Sequence, residues 1–274
     1  MRLVASDLDG TIVRPDGTIS PRTLAALLAC EHDGIDVVFV TGRPPRWMAQ
    51  VAEVTGRAGL AVCGNGAVVY DLAAERVVRT RGLSVQAVRD TVTCLRAALP
   101  GAVFALETLA GYRREPQFLP HHDAAAAAMS APLDQLLADD PVVLKVLCRD
   151  ENSTADPMLA AARAVLDGVS EPCHSSSTGS MLEVSAVGVS KATTLAELAA
   201  GRGIRAEEVV AFGDMPNDVP MLRWAGCGYA MADGHPEAIA AADETAPPCG
   251  DDGVAQVLER LLAGRGRAGR STRC

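Results

Sequence analysis

The sequence predicts an α/β fold with a doubly wound parallel sheet and a second α/β unit inserted into it. Short apolar stretches alternate with helical patterns in the first and last thirds of the chain, which is typical of parallel strands covered by helices on both faces. Hydrophobic residues make up 49% of the 274 residues, but aromatic residues only 3%. A core of alanine, valine and leucine suits tightly packed α/β layers. The length allows one large domain or two modest ones, and we favour two.

The sequence of the first third of the chain predicts the first strands and helices of a Rossmann-like fold. Ser20 followed by Pro21 marks a helix start, and this helix should run to about Glu31. A second helix is expected over 46–54, after a pair of prolines. Apolar runs predict strands over 3–6, 36–40 and 60–63, then a hairpin of 67–70 with 76–79. Buried strands separated by helices in this way indicate a parallel arrangement.

The pattern changes near Leu83 and returns near Met181. Between them the sequence predicts helices over 85–99 and 157–166 and strands over 102–106 and 142–148. Later it predicts strands over 181–184, 209–212 and 229–231 and helices over 191–200, 219–225 and 236–242. The expected division is a discontinuous core of 1–82 and 184–264, an inserted domain of 83–183 and a basic, disordered tail of 265–274.

Composition argues against several classes of protein. The net charge of −9 is unlike that of a nucleic-acid binder, because duplex DNA is bound by basic surfaces. The eight cysteines are scattered without a CxxC pair, so we expect reduced thiols. An acidic residue precedes any signal-peptide core, and no apolar run approaches the roughly 20 residues of a membrane span. We therefore expect a cytoplasmic protein that binds neither nucleic acid nor membrane, with its oligomeric state left open.

The first chemical signal is the segment Asp-Leu-Asp-Gly-Thr at 7–11, directly after a predicted strand. Side chains two apart on a strand share a face, so Asp7 and Asp9 can act together, and Gly10 allows a sharp turn. One carboxylate could attack phosphorus while the other moves protons, with a divalent cation to offset the negative charge. By itself, however, the pattern is equally typical of a solvated turn.

Further polar groups follow other predicted core strands. Thr41 and Gly42 follow the second strand, Lys191 begins a helix, and Asp214 and Asp218 follow a later strand. Open α/β sheets bind ligands at this edge. A hydroxyl, backbone amides and an ammonium suit a phosphate group, whereas carboxylate oxygens favour Mg²⁺. Each group alone could be a turn or a helix cap, but together they predict a phosphate and magnesium site.

These segments resemble motifs I to IV of the haloacid dehalogenase (HAD) superfamily. The four motifs are Asp7-Leu-Asp-Gly-Thr11, Val40-Thr-Gly-Arg43, Lys191 and Gly213-Asp-Met-Pro-Asn-Asp218. Other segments are similar to its Cof-type (IIB) branch, namely 64–67, 182–191, 218–222, 225–231 and 252–255. The resemblance implies a Rossmann-like core with a cap domain between motifs II and III. It also implies a phosphatase that acts on small phosphate monoesters, such as a sugar phosphate or a similar metabolite.

The resemblance further implies a role for each motif residue. Asp7 would be the nucleophile that forms an aspartyl-phosphate, and Asp9 the acid that protonates the leaving alcohol and then the base that activates water. Mg²⁺ would be held by the Asp7 carboxylate, the Asp9 carbonyl and Asp214, with Asp218 as an outer-shell or direct ligand. The phosphoryl oxygens would be gripped by Thr41, the Gly42 amide, Lys191 and Asn217. Phosphoryl transfer requires such positioning and charge neutralisation.

Three other interpretations use the same residues. A response-regulator receiver domain also places acids, a threonine and a lysine around Mg²⁺, but it is less than half as long. A phosphomutase shares the aspartyl-phosphate and returns the phosphate to a sugar hydroxyl, which the sequence does not exclude. A catalytically inactive binding module is disfavoured because no catalytic position is substituted. Candidate contacts to the leaving group in the cap are Arg113, Arg114, His121, His122 and Lys145.

Overall fold

The computed structural model describes residues 1–56, 59–119, 128–176 and 179–271, with side chains up to residue 264. Within these ranges the strands form two sheets with helices packed against them. The strands are β1 (Leu3–Ser6), β2 (Asp36–Val40), β3 (Leu60–Cys63), β4 (Val68–Asp71), β5 (Arg76–Thr80), β6 (Val103–Thr108), β7 (Gly111–Arg114), β8 (Met129–Ser130), β9 (Val143–Arg149), β10 (Glu171–Cys173), β11 (Met181–Ser185), β12 (Val209–Gly213), β13 (Cys227–Met231) and β14 (Glu244–Ala246). The helices are α1 (Pro21–His32), α2 (Met48–Val54), α3 (Val85–Ala98), α4 (Leu133–Leu136), α5 (Ala155–Leu166), α6 (Lys191–Gly201), α7 (Val219–Trp224), α8 (Pro236–Ala241) and α9 (Gly253–Ser271).

The larger sheet has its strands in the order β14-β13-β12-β1-β2-β3-β4-β5. The strands from β14 to β3 are parallel, and β4 and β5 add an antiparallel hairpin at one edge. The chain runs outward from β1 to β3 on one side and later from β12 to β14 on the other. This order confirms the doubly wound, Rossmann-like core. It also places the crevice where such sheets bind ligands at the carboxyl ends of β1 and β12.

Alternate residues of β1 show why helices cover both faces of this sheet. Val4 lies in a buried apolar cluster with Leu27 of α1 and Leu258 of α9. Leu3, its neighbour, lies in another cluster with Leu195 of α6 and Leu222 of α7. Since consecutive residues of a strand point to opposite faces, a sheet covered on both sides requires a continuous apolar run.

The smaller sheet belongs to the inserted cap domain and has the strand order β10-β11-β9-β6-β7-β8. Its pairings are antiparallel except the one between β7 and β8. Helices α3 and α5 cover one face, where Val88 and Met158 are buried together with Val146 of β9. Lys145 of β9 contacts Gly42 in the loop after β2. The face not covered by helices is therefore turned toward the core.

The structure differs from the expected division of the chain at two places. Val184 and Ser185 pair within the cap sheet, so this sheet continues past the expected boundary at residue 183. Val184 is held there because its side chain is buried in the apolar cluster of the cap. In addition, α9 continues to Ser271, through most of the segment 265–274 that was expected to be disordered. Because a helix that has already begun needs no new nucleus, Arg265, Arg267 and Ala268 can extend it although Gly266 and Gly269 disfavour a helix.

The predicted core strands are all present, whereas the shortest elements were not predicted. These are β7, β8, β10, β14 and α4, each of two to four residues. Segments of this length show no periodicity that distinguishes a strand from a loop. His121 and His122 lie outside the described residues. Among the helices of the described ranges, none combines the length and apolar character needed to cross a bilayer.

Gly66 lets the turn after β3 pass directly against the start of α6. Its φ is +107°, and a Cβ built on it would lie 2.3 Å from the Ser190 carbonyl oxygen. We expect Gly66→Ala to destabilise the protein by about 2 kcal/mol or more, because backbone strain and a main-chain clash act together. Gly188→Ala is the matched control, since Gly188 has a φ of +70° but open space at the Cβ position. Urea unfolding measures both variants, and equal losses would contradict the close approach.

Candidate active site

Three carboxylates and one ammonium meet at the carboxyl edge of the larger sheet. Asp7 follows β1, Asp214 and Asp218 follow β12, and Lys191 is the first residue of α6. Lys191 Nζ lies 2.7 Å from both Asp7 Oδ1 and Asp218 Oδ1. Lys191 is 1% exposed and Asp218 is fully buried. The structure therefore brings together four residues that the sequence placed at separate strand and helix ends.

Local turns fix the two acids that follow β12. Asp218 Oδ2 accepts hydrogen bonds from the backbone N–H groups of Asp214 and Met215, each at 3.1 Å. Asp214 Oδ1 accepts a hydrogen bond from the Thr11 hydroxyl at 3.1 Å. Gly10 has a φ of +78°, and a Cβ there would lie 2.3 Å from Asp214 Oδ2. Glycine is thus required at this turn both for its conformation and for its lack of a side chain.

Burial shifts the protonation of this cluster. It raises the pKa of Asp7 to about 7, although the ammonium of Lys191 acts in the opposite direction. Burial likewise raises the pKa of Asp214 to about 9, with the negative charges of Asp7 and Asp218 adding to the effect. For Lys191, burial acts to lower the pKa, but Asp218 and Asp7 outweigh it and raise the pKa. One ammonium therefore does not neutralise three buried carboxyl groups, and a further cation would stabilise their ionised forms.

The donor set of this cluster fits Mg²⁺. Ligand oxygens of Asp7, Asp214 and Asp218 lie within 4.8 Å of one another, and Mg²⁺ prefers carboxylate oxygens. Both oxygens of Asp218 already accept hydrogen bonds, from Lys191 and from the backbone. Asp7 and Asp214 therefore offer the more accessible oxygens.

Asp9 lies at the same end of β1 but outside the buried cluster. Its side chain is 58% exposed and forms two hydrogen bonds with Arg43, one of them 2.8 Å long between Arg43 Nε and Asp9 Oδ2. Arg43 belongs to the loop after β2, which also carries Thr41 and Gly42. The ion pair therefore links the loops after β1 and β2 on the side of the site that faces the cap.

The loop after β2 and the turn after β12 present further polar groups beside Asp7. Thr41 Oγ1 accepts a hydrogen bond from the Arg43 backbone N–H at 3.0 Å, so its hydroxyl can donate to a ligand. Asn217 Nδ2 donates to Asn65 Oδ1 at 3.2 Å. Asn217 Oδ1 is buried and has no hydrogen-bond partner among the described residues. Asn65 was not predicted as a site residue, although the Gly-Asn-Gly segment at 64–66 marked the position.

A cavity of about 360 Å³ lies between core and cap and opens onto Asp7. On the core side it is lined by Asp7, Asp9, Thr41, Gly42, Arg43 and Asn217. On the cap side it is lined by Tyr112, Lys145, Leu147, Arg149, Met181 and Glu183. The predicted site residues and the cap thus share a space of the size that small ligands occupy.

Two of these cap residues, Lys145 and Glu183, form a buried ion pair 2.6 Å long. Lys145 was predicted as a candidate contact, whereas Glu183 was not. The sequence signal for Glu183 is a lone charged residue inside an apolar strand, which is unusual unless the charge is paired. The other described candidates do not line the cavity. Arg113 pairs with Asp139, and Arg114 donates to main-chain carbonyl groups.

A second group of side chains with metal-ligand spacing lies where the cap meets the core. Asp156 and His174 of the cap and His235 of the core offer ligand atoms within 4.8 Å of one another. His235 Nδ1 accepts the backbone N–H of Glu237, so Nε2 carries the hydrogen and donates to Asp156, 3.4 Å from Oδ2. His174 Nε2 lies 2.8 Å from Asp156 Oδ1.

Metal binding through Nε2 would move the hydrogen of each ring to Nδ1. Nδ1 of His174 is buried and has no hydrogen-bond partner among the described residues. Nδ1 of His235 already accepts a hydrogen bond, so it could not also carry a hydrogen. A metal-bound histidine normally donates its other N–H to a partner. Asp156, His174 and His235 therefore form a hydrogen-bonded clasp between cap and core rather than a metal centre.

Comparison with known proteins identifies the family. Residues 4–258 match the family model of haloacid dehalogenase-like hydrolases, and the chain belongs to this family. It is 26% identical over 275 residues to the 5-amino-6-(5-phospho-D-ribitylamino)uracil phosphatase YitU of Bacillus subtilis, a match that covers 95% of this chain and 97% of YitU. It is 29% identical over 255 residues to the HMP-PP phosphatase of Serratia proteamaculans, covering 86% of this chain and 85% of the relative.

Solved structures show the same fold. The HAD subclass IIB sugar phosphatase BT4131 matches with a TM-score of 0.79 at 20% identity, covering 95% of this chain and 99% of that one. SMU.1108c from Streptococcus mutans UA159 matches with a TM-score of 0.81 at 19% identity, covering 96% and 99%. With the family match, these findings confirm the resemblance to the haloacid dehalogenase superfamily, its fold with a cap, and a phosphatase hydrolase. They exclude the receiver-domain interpretation.

We expect Asp156→Asn to loosen the contact between cap and core. Asparagine has one acceptor oxygen, and its amide hydrogens would oppose the Nε2–H of one histidine, so one hydrogen bond of the clasp is lost. Hydrogen–deuterium exchange should become faster around His174 and His235, with Tm lower by about 2 to 4 °C. Asp167→Asn, an exposed position at the end of the same helix, is the control. Identical exchange in the two variants would show that the clasp does not hold the cap.

Proposed function

We propose that the protein is a Mg²⁺-dependent phosphatase that hydrolyses small-molecule phosphate monoesters through an aspartyl-phosphate on Asp7. The observation that carries this proposal is the position of Asp7. Its carboxylate is held by Lys191 in a buried acidic cluster, yet it lines the cavity between core and cap. A nucleophile needs such a fixed orientation together with access to substrate.

Mg²⁺ would be held by the Asp7 carboxylate, the Asp9 main-chain carbonyl and Asp214, with Asp218 as an outer-shell or direct ligand. The excess negative charge of the cluster and its set of oxygen donors support this assignment. When bound, the ion would offset the repulsion between an anionic nucleophile and an anionic phosphate.

The remaining groups would bind the phosphoryl oxygens or transfer protons during phosphoryl transfer. The Thr41 hydroxyl, the Gly42 N–H, the Asn217 amide and the Lys191 ammonium would donate to the phosphoryl oxygens. An oxygen of Asp7 attacks phosphorus in line with the leaving group, and the bond from phosphorus to the leaving oxygen breaks. Asp9 gives that oxygen a proton. It then takes a proton from the water that attacks the phosphoenzyme, which releases phosphate and restores Asp7.

The ion pair between Arg43 and Asp9 would open during these steps. Asp9 must reach the leaving oxygen before it can give it a proton, whereas its carboxylate is held by two hydrogen bonds from Arg43. A phosphoryl dianion that enters the cavity would compete for this guanidinium, since arginine binds phosphate strongly. Substrate binding would then release Asp9 for proton transfer.

The substrate is proposed to be a small phosphorylated metabolite, such as a sugar phosphate. The cavity volume of about 360 Å³ suits a ligand of this size. The relatives YitU and the HMP-PP phosphatase are both named for small phosphorylated compounds. We propose no nucleic-acid partner, in keeping with the net charge of −9.

Asp7→Asn should keep the fold and abolish turnover. The amide has almost the same shape and its oxygen can still accept from Lys191, but it has no anionic oxygen to attack phosphorus. The measurement is phosphate release from an aryl phosphate and a panel of sugar phosphates with Mg²⁺, with circular dichroism to check folding. Free phosphate from the wild type also distinguishes a hydrolase from a phosphomutase. Substantial Mg²⁺-dependent release by Asp7→Asn would refute the covalent mechanism.

Asp9→Asn should slow hydrolysis of a sugar phosphate by about 10²- to 10⁴-fold, the usual contribution of general acid and base catalysis. An aryl phosphate has a better leaving group, so phosphoenzyme should still form but hydrolyse slowly. Intact-mass spectrometry after mixing with aryl phosphate would detect the accumulated phosphoenzyme. Equal losses at both steps with both substrates would count against this role for Asp9.

A further inference from the structure

We propose that Glu183 and Lys145 of the cap are positioning residues that orient the groups that grip the phosphoryl oxygens. The proposal rests on the proposed function of the site. It concerns three of the four phosphoryl-binding groups, those of Thr41, Gly42 and Asn217. The Gly42 carbonyl accepts a hydrogen bond from Lys145, and Thr41 precedes Gly42 in the same loop. Asn217 is connected to Glu183 through the side chain of Asn65.

The ion pair itself is buried on the face of the cap sheet that is turned toward the core. Lys145 Nζ lies 2.6 Å from Glu183 Oε1, and the exposed fractions of the two side chains are 5% and 8%. They are diagonal neighbours across β9 and β11, where Glu183 pairs with Leu147. Loss of either partner would leave a buried charge uncompensated. Each side chain therefore holds the other in one place.

The Glu183 carboxylate sets the direction of a chain of amide hydrogen bonds. Glu183 Oε2 accepts from Asn65 Nδ2 at 2.7 Å, and Asn65 Oδ1 accepts from Asn217 Nδ2 at 3.2 Å. An ionised carboxylate only accepts hydrogen bonds, so the NH₂ group of Asn65 must face it and the oxygen of Asn65 must face Asn217. Asn217 is thereby fixed with its NH₂ group toward Asn65. The second hydrogen of that NH₂ group remains to donate to a phosphoryl oxygen.

Lys145 holds the loop that carries two other phosphoryl-binding groups, those of Thr41 and Gly42. Its Nζ donates to the Gly42 carbonyl at 2.8 Å. A Cβ on Gly42 would lie 3.2 Å from both Glu183 Oε2 and Asn65 Oδ1, so these side chains pack closely against the loop. The Asn65 backbone N–H also donates to the Thr41 carbonyl at 3.0 Å. The loop that carries the Thr41 hydroxyl and the Gly42 amide is thus held by Lys145 from the cap and by the Asn65 main chain from the core.

A purely structural role would make the ion pair one more link between cap and core. The clasp of Asp156, His174 and His235 is such a link, and none of its side chains lines the cavity. If the ion pair only attaches the cap, breaking it and breaking the clasp should affect the site alike. If the ion pair positions the groups that bind the phosphoryl oxygens, only loss of the ion pair should weaken phosphate binding.

The test uses full-length variants with Mg²⁺. Glu183→Gln keeps the side-chain shape but allows either end of the new amide to face Asn65. The double variant Lys145→Met/Glu183→Met removes both charges at similar volume, a change that buried ion pairs often tolerate in stability. Isothermal titration calorimetry gives the Kd of inorganic phosphate, steady-state kinetics give KM and kcat for an aryl phosphate, and Tm reports stability.

Both variants should bind phosphate about 10-fold more weakly and show a parallel rise in KM, as expected for the loss of one hydrogen bond to a charged group. The control, Asp156→Asn, should stay within about 2-fold of the wild type. Unchanged Kd and KM in a folded double variant would overturn the proposal. An equal loss in Asp156→Asn would also overturn it, because the effect would then come from cap attachment.

If the double variant does not fold, Glu183→Gln decides the question by the same criteria. A wild-type protein that neither binds phosphate nor hydrolyses an aryl phosphate would refute the proposed function, and the positioning role with it. If the wild type binds phosphate and hydrolyses the aryl phosphate, and the variants do so equally well, only the positioning role would be refuted.

Discussion

One buried lysine joins the parts of the chain that must meet for the site to exist. Lys191, at the start of α6, bonds to Asp7 after β1 and to Asp218 after β12. Buried charges are tolerated only when they are paired, so none of the three can occupy its position without the others. This requirement places the ends of β1 and β12 side by side and directs the start of α6 toward them. It also leaves the cluster with excess negative charge.

The core and its acidic cluster could be predicted because their signals are local. Asp7 and Asp214 each follow a short, continuous apolar strand, and parallel strands end at one edge. The pairing of Asp9 with Arg43 and the contact of Glu183 with Asn65 could not be predicted, because they depend on how separate loops and domains pack. The shortest cap strands were missed since two to four residues show no periodicity. Residue roles in the site and a cytoplasmic location stay predictions.

The cap meets the core at the cavity through polar contacts, in addition to Leu144 of β9, which is buried in the apolar cluster of the core. Arg46 pairs with Glu107, Lys145 donates to Gly42, and the clasp of Asp156, His174 and His235 lies beyond them. Polar contacts of this kind can be exchanged for water at a smaller loss than apolar ones, and interfaces between domains that move are generally polar. Such an interface suits an enzyme whose cavity lies between two domains, because substrate must enter and product must leave.

The inserted cap also sets the order in which the core can be assembled during synthesis. The central strand β1 is made first, but its neighbour β12 leaves the ribosome only after the whole cap has been made. Until then one edge of β1 carries unpaired N–H and C=O groups, and strand edges of this kind pair readily with other chains. The strands of the cap are continuous in sequence, so the cap can fold during this interval. A growing chain therefore combines a folded cap with five of the eight strands of the larger sheet, and this is the stage at which it is most prone to aggregate.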